Sequence, residues 1–538
     1  MKSHSKLSLD PPCILCGLVP CEPCKDLAKV EKRVLETVAV LADLEKTRQS
    51  LRARVNRVHA SLIQRVPLEI AAIIFEYSVA DYEEDSDLWR NHRSPYKRIK
   101  LGHICRSWRE IAWSTPTLWN TISIKIRHRF EKPNMTMWQE WLDRSGNLPL
   151  SIDLKSPYYG SADGLEYYRP LMDLINHYSC RWRSLRAIIS PDLLCRLHGP
   201  DTPSPSMVDT LIIIPTAEIG EVKSMAKFSL QNARPSPKYV EIGGILLKSF
   251  DISWNNVTHM VVSSENSPFF CDECLEVFRQ APQLVKCKLD RIMVGRGGYI
   301  PTSVITLNCL RCLEINHASD VSIQILFDLL LLPSLEEYSH DSNNGSFPVA
   351  SFVSLVERSG CSLKKMVLTD TDYEAGTIVE LCSVVPSLEE LQIYTFDGEE
   401  TDTESLLAQL GETSILACSG TGKSASFLPD LRKLSIEGLR PFRWATLAKI
   451  FGSQYDGLPV DQRLDEKEKG VNEQYRPLRS IHIDSNGFDE EPVGKELIPR
   501  FTNAARRGVE FTGDWLLSSI KHRGITLEEQ DRERTSKG

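Results

Sequence analysis

The sequence lacks any long apolar run. Stretches such as Ile323 to Leu332 are broken by Asp328 and stopped by Pro333, far short of the roughly twenty apolar residues a membrane-spanning helix needs. It lacks a basic stripe as well. The 64 Lys and Arg stand against 72 Asp and Glu, mixed along the chain, for a net charge of -8. That balance argues against a nucleic-acid or membrane-surface binder. No apolar signal stretch stands near the first residue, where Pro11, Pro12 and four cysteines sit instead, so export is not expected and the cytoplasm and/or nucleus is. Chemistry-bearing motifs are scarce too. The 12 histidines are dispersed without an H-E-x-x-H arrangement, and His103 reads as structural. No serine sits in a strand–turn–helix elbow. No catalytic residue and no enzymatic activity are expected.

What is present is a chain of 538 residues, 41% hydrophobic and 25% charged, the balance of a soluble globular protein too long for one ordinary core. Fifteen cysteines are an odd number. Eleven are scattered, many within apolar segments such as "LVKCKL" and "LNCLRCLEI", and read as buried reduced thiols. Cys13, Cys16, Cys21 and Cys24 form two C-x-x-C pairs. Four thiolates are the number a tetrahedral zinc takes, but the gap of four residues between pairs is shorter than zinc-ribbon spacing. Residues 1–25 are therefore either a tight structural-zinc knuckle or a flexible cysteine-rich leader, and no other cofactor is expected. Cys271 and Cys274 form another C-x-x-C, but Leu275 and Phe278 carry a helical repeat through it.

Between Asp26 and Gln64 there is neither glycine nor proline, which permits one long helix over residues 26–64. A seven-residue count runs through Leu27, Val30, Val34, Thr37, Leu41, Leu44, Arg48, Leu51, Val55, Val58 and Leu62. All but Thr37 and Arg48 are apolar, a heptad seam. Two readings fit it: a coiled-coil homodimer, or a single helix folding its seam onto the rest of the chain.

A compact helical block follows over residues 65–124. It opens with "RVPLEIAAIIFEYSV", in which Pro67 suits a helix start and Leu68, Ile70, Ile73, Ile74 and Tyr77 recur at helical spacing. The charged stretch Asp81 to Lys100 reads as a surface loop. In the second half Ile104, Trp108, Ile111 and Ala112 share one helical face, and Trp119 follows a Ser-Thr-Pro turn.

Beyond it the pattern becomes short apolar strands. From Phe269 to Phe396 a unit recurs: an apolar helix, a stop such as P-x-L, then L-x-x-L-x-L. The lead residues Leu284, Leu310, Leu335, Leu363 and Leu388 are separated by 26, 25, 28 and 25 residues. So regular a period predicts stacked repeats, each burying its leucines only against its neighbours. Degenerate units are "SLRAII", "VDTLIII" and "VTHMVVS" before this region, and "LRKLSIEG" and "LRSIHIDS" after it. The expected fold is α/β: an N-terminal heptad helix and a small all-α module, followed by a leucine-rich-repeat-like α/β solenoid over residues 125–525 with loop insertions, then a flexible tail, 526–538. A curved array with its strands on the concave side suits grasping a protein.

With these residues in view the chain resembles the F-box family, in particular large fungal families of F-box-like proteins. The resemblance is carried by "VPLEIAAIIFEYSV" at 66–79, "ICRSWREIAWSTPTLWNTISI" at 104–124 and "WLDRSGNLPLSIDL" at 141–154. It implies a substrate-recognition subunit of a ubiquitin ligase, docking the Skp adaptor and thereby the cullin ligase core, and holding an unidentified protein substrate on its repeats. Pro67, Leu68, Ile70, Ile74 and Phe75 would form part of the adaptor-facing or core helix, and Cys105, Trp108 and Trp119 match the second half of the motif. The departures are Val66 at the usual leading leucine and the long insertion from Asp81 to Lys100. A non-ligase interaction scaffold is the alternative reading.

"ACSGTGKS" at Ala417 to Ser424 matches a loose phosphate-loop pattern. The mechanism of such a loop needs a preceding strand and a following helix. Here Pro429 leads straight into a repeat strand, so a Ser/Gly-rich loop insertion is expected.

Overall fold

A computed structural model of the chain describes residues 22–58, 66–79, 95–126, 132–156, 165–199, 205–216, 227–231, 233–263, 268–295, 303–341, 347–369, 376–395, 402–418, 427–438, 442–451, 477–485, 493–494 and 496–513. Two compact units divide between Leu118 and Trp119.

The N-terminal unit is helical. Helix α1, Glu22–Val58, is 37 residues long. The absence of glycine and proline lets it continue, and ion pairs at i,i+3, Lys25–Glu22 at 3.1 Å and Lys29–Asp26 at 3.0 Å, support its first turns. It begins four residues before the expected Asp26, and residues 59–65 lie outside the described chain. Helix α2, Leu68–Val79, follows Pro67, whose carbonyl accepts from the Ala71 N–H at 3.0 Å. Its buried residues are Ala71, Phe75 and Val79, one per turn.

Helix α3, Pro95–Ile104, corrects the expectation of a loop reaching Lys100. Proline at a helix start fixes φ where its missing N–H costs nothing, and Leu101, six residues on, is buried. Residues 80–94 of that stretch lie outside the described chain. Helix α4, Arg106–Trp113, is capped by Cys105, whose sulfur accepts from the Trp108 N–H at 3.4 Å. Phe75 of α2 packs on Trp108 with ring centroids 4.7 Å apart. The α3–α4 corner is closed by Arg109, which donates to the Gly102 carbonyl at 2.8 Å. Only glycine fits at Gly102, because a Cβ there would stand 1.9 Å from the Trp113 ring.

The second unit is built on one sheet of fourteen parallel strands in chain order, each hydrogen-bonded to the next. They are β1 Thr121–Lys125, β2 Leu150–Lys155, β3 Trp182–Ile188, β4 Thr210–Ile213 and β5 Tyr239–Ile242. Then come β6 His259–Val262, β7 Lys286–Asp290, β8 Cys312–Asn316, β9 Glu337–Asp341 and β10 Lys365–Thr369. The last four are β11 Glu390–Thr395, β12 Lys433–Gly438, β13 Ser480–Ser485 and β14 Glu510–Thr512. Parallel neighbours need a crossover. The longer ones carry α5 Met135–Arg144, α6 Arg169–His177, α7 Cys271–Gln280, α8 Asp320–Leu329 and α9 Val349–Ser359. Later crossovers carry α10 Thr377–Ser383, α11 Asp402–Cys418, α12 Trp444–Lys449 and α13 Ile498–Arg506.

The lead leucines Leu284, Leu310, Leu335, Leu363 and Leu388 are all buried just ahead of their strands. Within a strand burial alternates, as a pleated chain with one buried face requires. Leu363, Met366 and Leu368 are buried, and Lys364, Lys365, Val367 and Thr369 stand on the other side. Four of the strands come from segments not read as repeat units: β1 and β2 from the segments carrying the resemblance, and β5 and β14. The helical block expected to reach residue 124 gives way at Leu118, and Thr121–Lys125 joins the sheet beside β2. Its burial alternates there: Ile122 and Ile124 are buried while Thr121 and Ser123 are half-buried.

Side chains cap the crossovers. Ser319 accepts from the Ser322 N–H at the start of α8. At the other end Arg358 donates to the Phe327 carbonyl at 2.6 Å and the Leu330 carbonyl at 2.8 Å, covering acceptors that the helix leaves open. Arg181 does the same between β2 and β3, reaching the Leu148 carbonyl and the Ser145 hydroxyl, both at 2.7 Å.

Near mid-sheet His340 is fully buried, stacked on Tyr338 and edge-on to Phe347 at 5.0 Å. Burial pushes its pKa down to about 4. The unfolded imidazole titrates near its ordinary 6.5. Between these values the unfolded chain takes the proton and the folded one does not, so stability falls as pH drops from 6.5 to 4. At pH 5 the loss from this one group is about 2 kcal/mol relative to pH 8. Buried Glu241 and Glu273 have carboxyl pKa values raised by burial and act in the opposite sense, losing stability as pH rises. They are common to both proteins in a comparison with His340→Leu. The expected outcome in urea melts at pH 8 and pH 5 is a smaller acid penalty in the variant.

Candidate functional site

Two surfaces stand out, one in each unit. In the N-terminal unit α2 is apolar nearly all round, the pattern of a helix covered on every side. Only Ala71, Phe75 and Val79 are buried. Ile70, Ile73, Ile74 and Tyr77 fall at i, i+3, i+4 and i+7, one stripe along the helix, and all four are exposed, Ile70 by 44% and Tyr77 by 68%. Leu68 at the helix start is 53% exposed, and Ile104 at the end of α3 is 59%. A stripe of large aliphatic and aromatic side chains left in water marks an association surface.

The residues singled out in the sequence sort into three groups. Pro67, Leu68, Ile70 and Ile74 are exposed on α2 or at its start. Phe75, Cys105 and Trp108 hold the unit together: Phe75 is buried on Trp108, and Cys105 caps α4. Trp119 belongs to the other unit, fully buried, edge-on to Trp141 at 4.8 Å with the Arg144 guanidinium over its ring at 5.0 Å. It cannot face a partner of the α2 stripe, because a side chain with no exposed area is packing. Ile73, Tyr77 and Ile104 join the exposed set. The signal for Ile73 and Tyr77 in the sequence was the excess of apolar residues on α2 over what one buried face can use.

The second surface is the unburied face of the sheet. In register across β7 to β12 it presents Lys286, Cys312, Glu337, Lys365, Glu390 and Lys433 in one row. The next row is Lys288, Glu314, Ser339, Val367, Gln392 and Ser435. Opposite charges pair across strands: Lys365–Glu390 at 3.0 Å, Lys433–Glu390 at 3.6 Å, and Lys288 with Glu314. Glu390 has its pKa held below the usual carboxylate value. Burial opposes that shift, but the ammonium groups of Lys365 and Lys433 and the amide of Gln392 outweigh it. Gln392 donates to Glu390 at 2.6 Å, and the Tyr394 hydroxyl donates to Gln392 at 3.3 Å. Farther along, Tyr239 is raised to about 12 by burial and by the Glu241 carboxylate beside it. The face is therefore polar, with mixed charge paired across neighbouring strands.

The remaining candidates fall elsewhere. Cys13, Cys16 and Cys21 lie outside the described residues, and Cys24 is in the first turn of α1. Among the described residues no cluster of three or more His, Cys, Asp or Glu is placed to hold a metal ion. Cys271 and Cys274 are buried within α7. Burial raises the Cys271 thiol to about 12 and Cys274 well above its ordinary value, which keeps both protonated and poor as ligands or nucleophiles. Residues 419–424 of the phosphate-loop-like segment lie outside the described chain. What precedes them, as far as Cys418, is helix α11 and not a strand. No described helix is long and apolar enough to cross a membrane. Comparison with protein-family models found no match, and neither did a search of curated proteins.

Proposed function

We propose that the protein is a non-enzymatic receptor of the F-box type. In this reading α2 docks the Skp adaptor of a cullin ubiquitin ligase, and the fourteen-stranded unit, a leucine-rich-repeat-like solenoid, holds a protein substrate for it. The observation that carries the reading is the exposed stripe Ile70, Ile73, Ile74 and Tyr77 on a helix that begins just after Pro67. Its physical logic is that of helix docking: an apolar helical stripe gains most of its binding free energy by removing aliphatic surface from water. The resemblance of "VPLEIAAIIFEYSV" to the start of the F-box motif names the partner. The second unit supplies a broad polar face, which suits a protein substrate rather than a small molecule enclosed in a cavity.

The test is co-expression with the Skp adaptor followed by size-exclusion chromatography. Co-elution in equal amounts is the expected result. Elution of the full chain without adaptor would leave an interaction scaffold and remove the ligase reading. Substrate capture is tested separately with Gln392→Ala and Tyr394→Ala combined. These side chains lie on the unburied face, so the melting temperature should stay within about 2 °C of the parent, as for surface changes generally. The expected outcome is loss of one or more partners from an affinity capture that the parent chain retains. An identical partner set would move recognition off this face.

A further inference from the structure

Helix α1 carries a seam that no described residue covers. Val30, Val34, Leu41, Leu44, Leu51 and Val55 are each between 50% and 59% exposed. Off the seam, Leu35, Val38 and Val40 are exposed as well and widen the apolar surface at mid-helix. Most of a helix's stability in a protein comes from packing an apolar face rather than from intrinsic propensity, so α1 gains by burying this seam.

Charge selects the occupant. From Glu22 to Glu45 the helix holds six carboxylates and four cations, whereas from Lys46 to Val55 it holds four cations and no carboxylate. A second copy lying parallel would place cationic end on cationic end and seat Arg48 against Arg48 within the seam. An antiparallel copy that pairs Leu41 with Leu44 instead sets this cationic stretch against residues 30–39, which hold two carboxylates and two cations, and so avoids both contacts.

The seam itself fixes the register. Thr37 and Arg48 are its two polar positions between Val30 and Val55. In an antiparallel pair each a position faces a d position. Setting Leu41 of one copy against Leu44 of the other then puts Val34 against Leu51, Val30 against Val55 and Thr37 against Arg48. Every apolar residue meets an apolar residue, and the two polar ones meet each other. On the flanks the same register brings Glu31 beside Arg52. It also brings Arg33 near Arg54, a like-charge contact at the rim where screening is strongest. We infer that α1 forms an antiparallel two-stranded coiled coil with a second copy of this chain, in the register Leu41 to Leu44.

Light scattering on the full chain under reducing conditions, at tens of micromolar, should give a mass near twice 60.9 kDa. Leu41→Asp should return the monomer. Because Leu41 is exposed in the single chain, thermal unfolding of the remainder should be unchanged, which separates lost association from lost folding. Thr37→Glu reads the orientation. In the antiparallel register the new carboxylate faces Arg48, and the dissociation constant should fall by about threefold to tenfold. In a parallel pair two glutamates would share one layer and the dimer would weaken. A monomer at every concentration would overturn the dimer and assign the seam to another occupant. A dimer that Thr37→Glu weakens would overturn the antiparallel register.

Discussion

Replacing Pro67 by serine and Ile70 by aspartate together should abolish co-purification with the Skp adaptor, a loss of at least about 100-fold in affinity. Burial of one isoleucine side chain contributes roughly 1.5–3 kcal/mol. A carboxylate at the same place must in addition be desolvated against an apolar partner, which costs a few kcal/mol more. Their sum exceeds the 2.7 kcal/mol or so that corresponds to 100-fold. The fold should survive, because Ile70 is 44% exposed and Pro67 precedes the first helical turn. Circular dichroism and the melting temperature should therefore match the parent. A control at Phe75 behaves in the opposite way: Phe75→Ala empties the contact with Trp108 and should melt the small unit itself. Retained binding by the Pro67 and Ile70 double variant would remove α2 as the docking element.

The largest loss of stability is expected at Phe327. Its ring is fully buried, with ring centroids 5.6 Å from Phe352, 6.0 Å from Tyr338 and 6.0 Å from Phe347. These residues come from α8, β9, α9 and the segment just before α9, so one ring joins successive crossovers to the strand between them. Phe327→Ala removes most of those contacts in a region held by hydrogen-bonded strands on both sides, which cannot collapse to fill the space. The expected cost is about 3–5 kcal/mol, read as a lower urea midpoint with the slope unchanged. Val321→Ala in the same helix is the control. Val321 is 57% exposed, and its truncation should cost no more than about 0.5 kcal/mol. Equal effects at the two positions would mean that the aromatic cluster does not hold this part of the sheet.

The sequence by itself determined the local elements. The absence of glycine and proline before Gln64 and the heptad count specified a long N-terminal helix, and the steps of 26, 25, 28 and 25 residues between lead leucines specified strands of one kind in one order. Both signals are periodic, and a period needs no partner to be legible. The L-x-x-L-x-L spacing also matches the buried set Leu363, Met366 and Leu368, of which the last two alternate along a pleated strand. The tertiary structure alone decided the rest. It placed Trp119 against Trp141 and Arg144 in the second unit, although in the sequence it closes a helical motif. Which of two cores a tryptophan enters is settled by neighbours distant along the chain. It drew Thr121–Lys125 into the sheet through pairing with Leu150–Lys155, a register that lies in the partner strand and not in the five residues themselves. It also separated Phe75 from Ile70 and Ile74. All three are apolar residues of one helix, and only the packing of α4 against one side of α2 makes Phe75 core and leaves the other two in water.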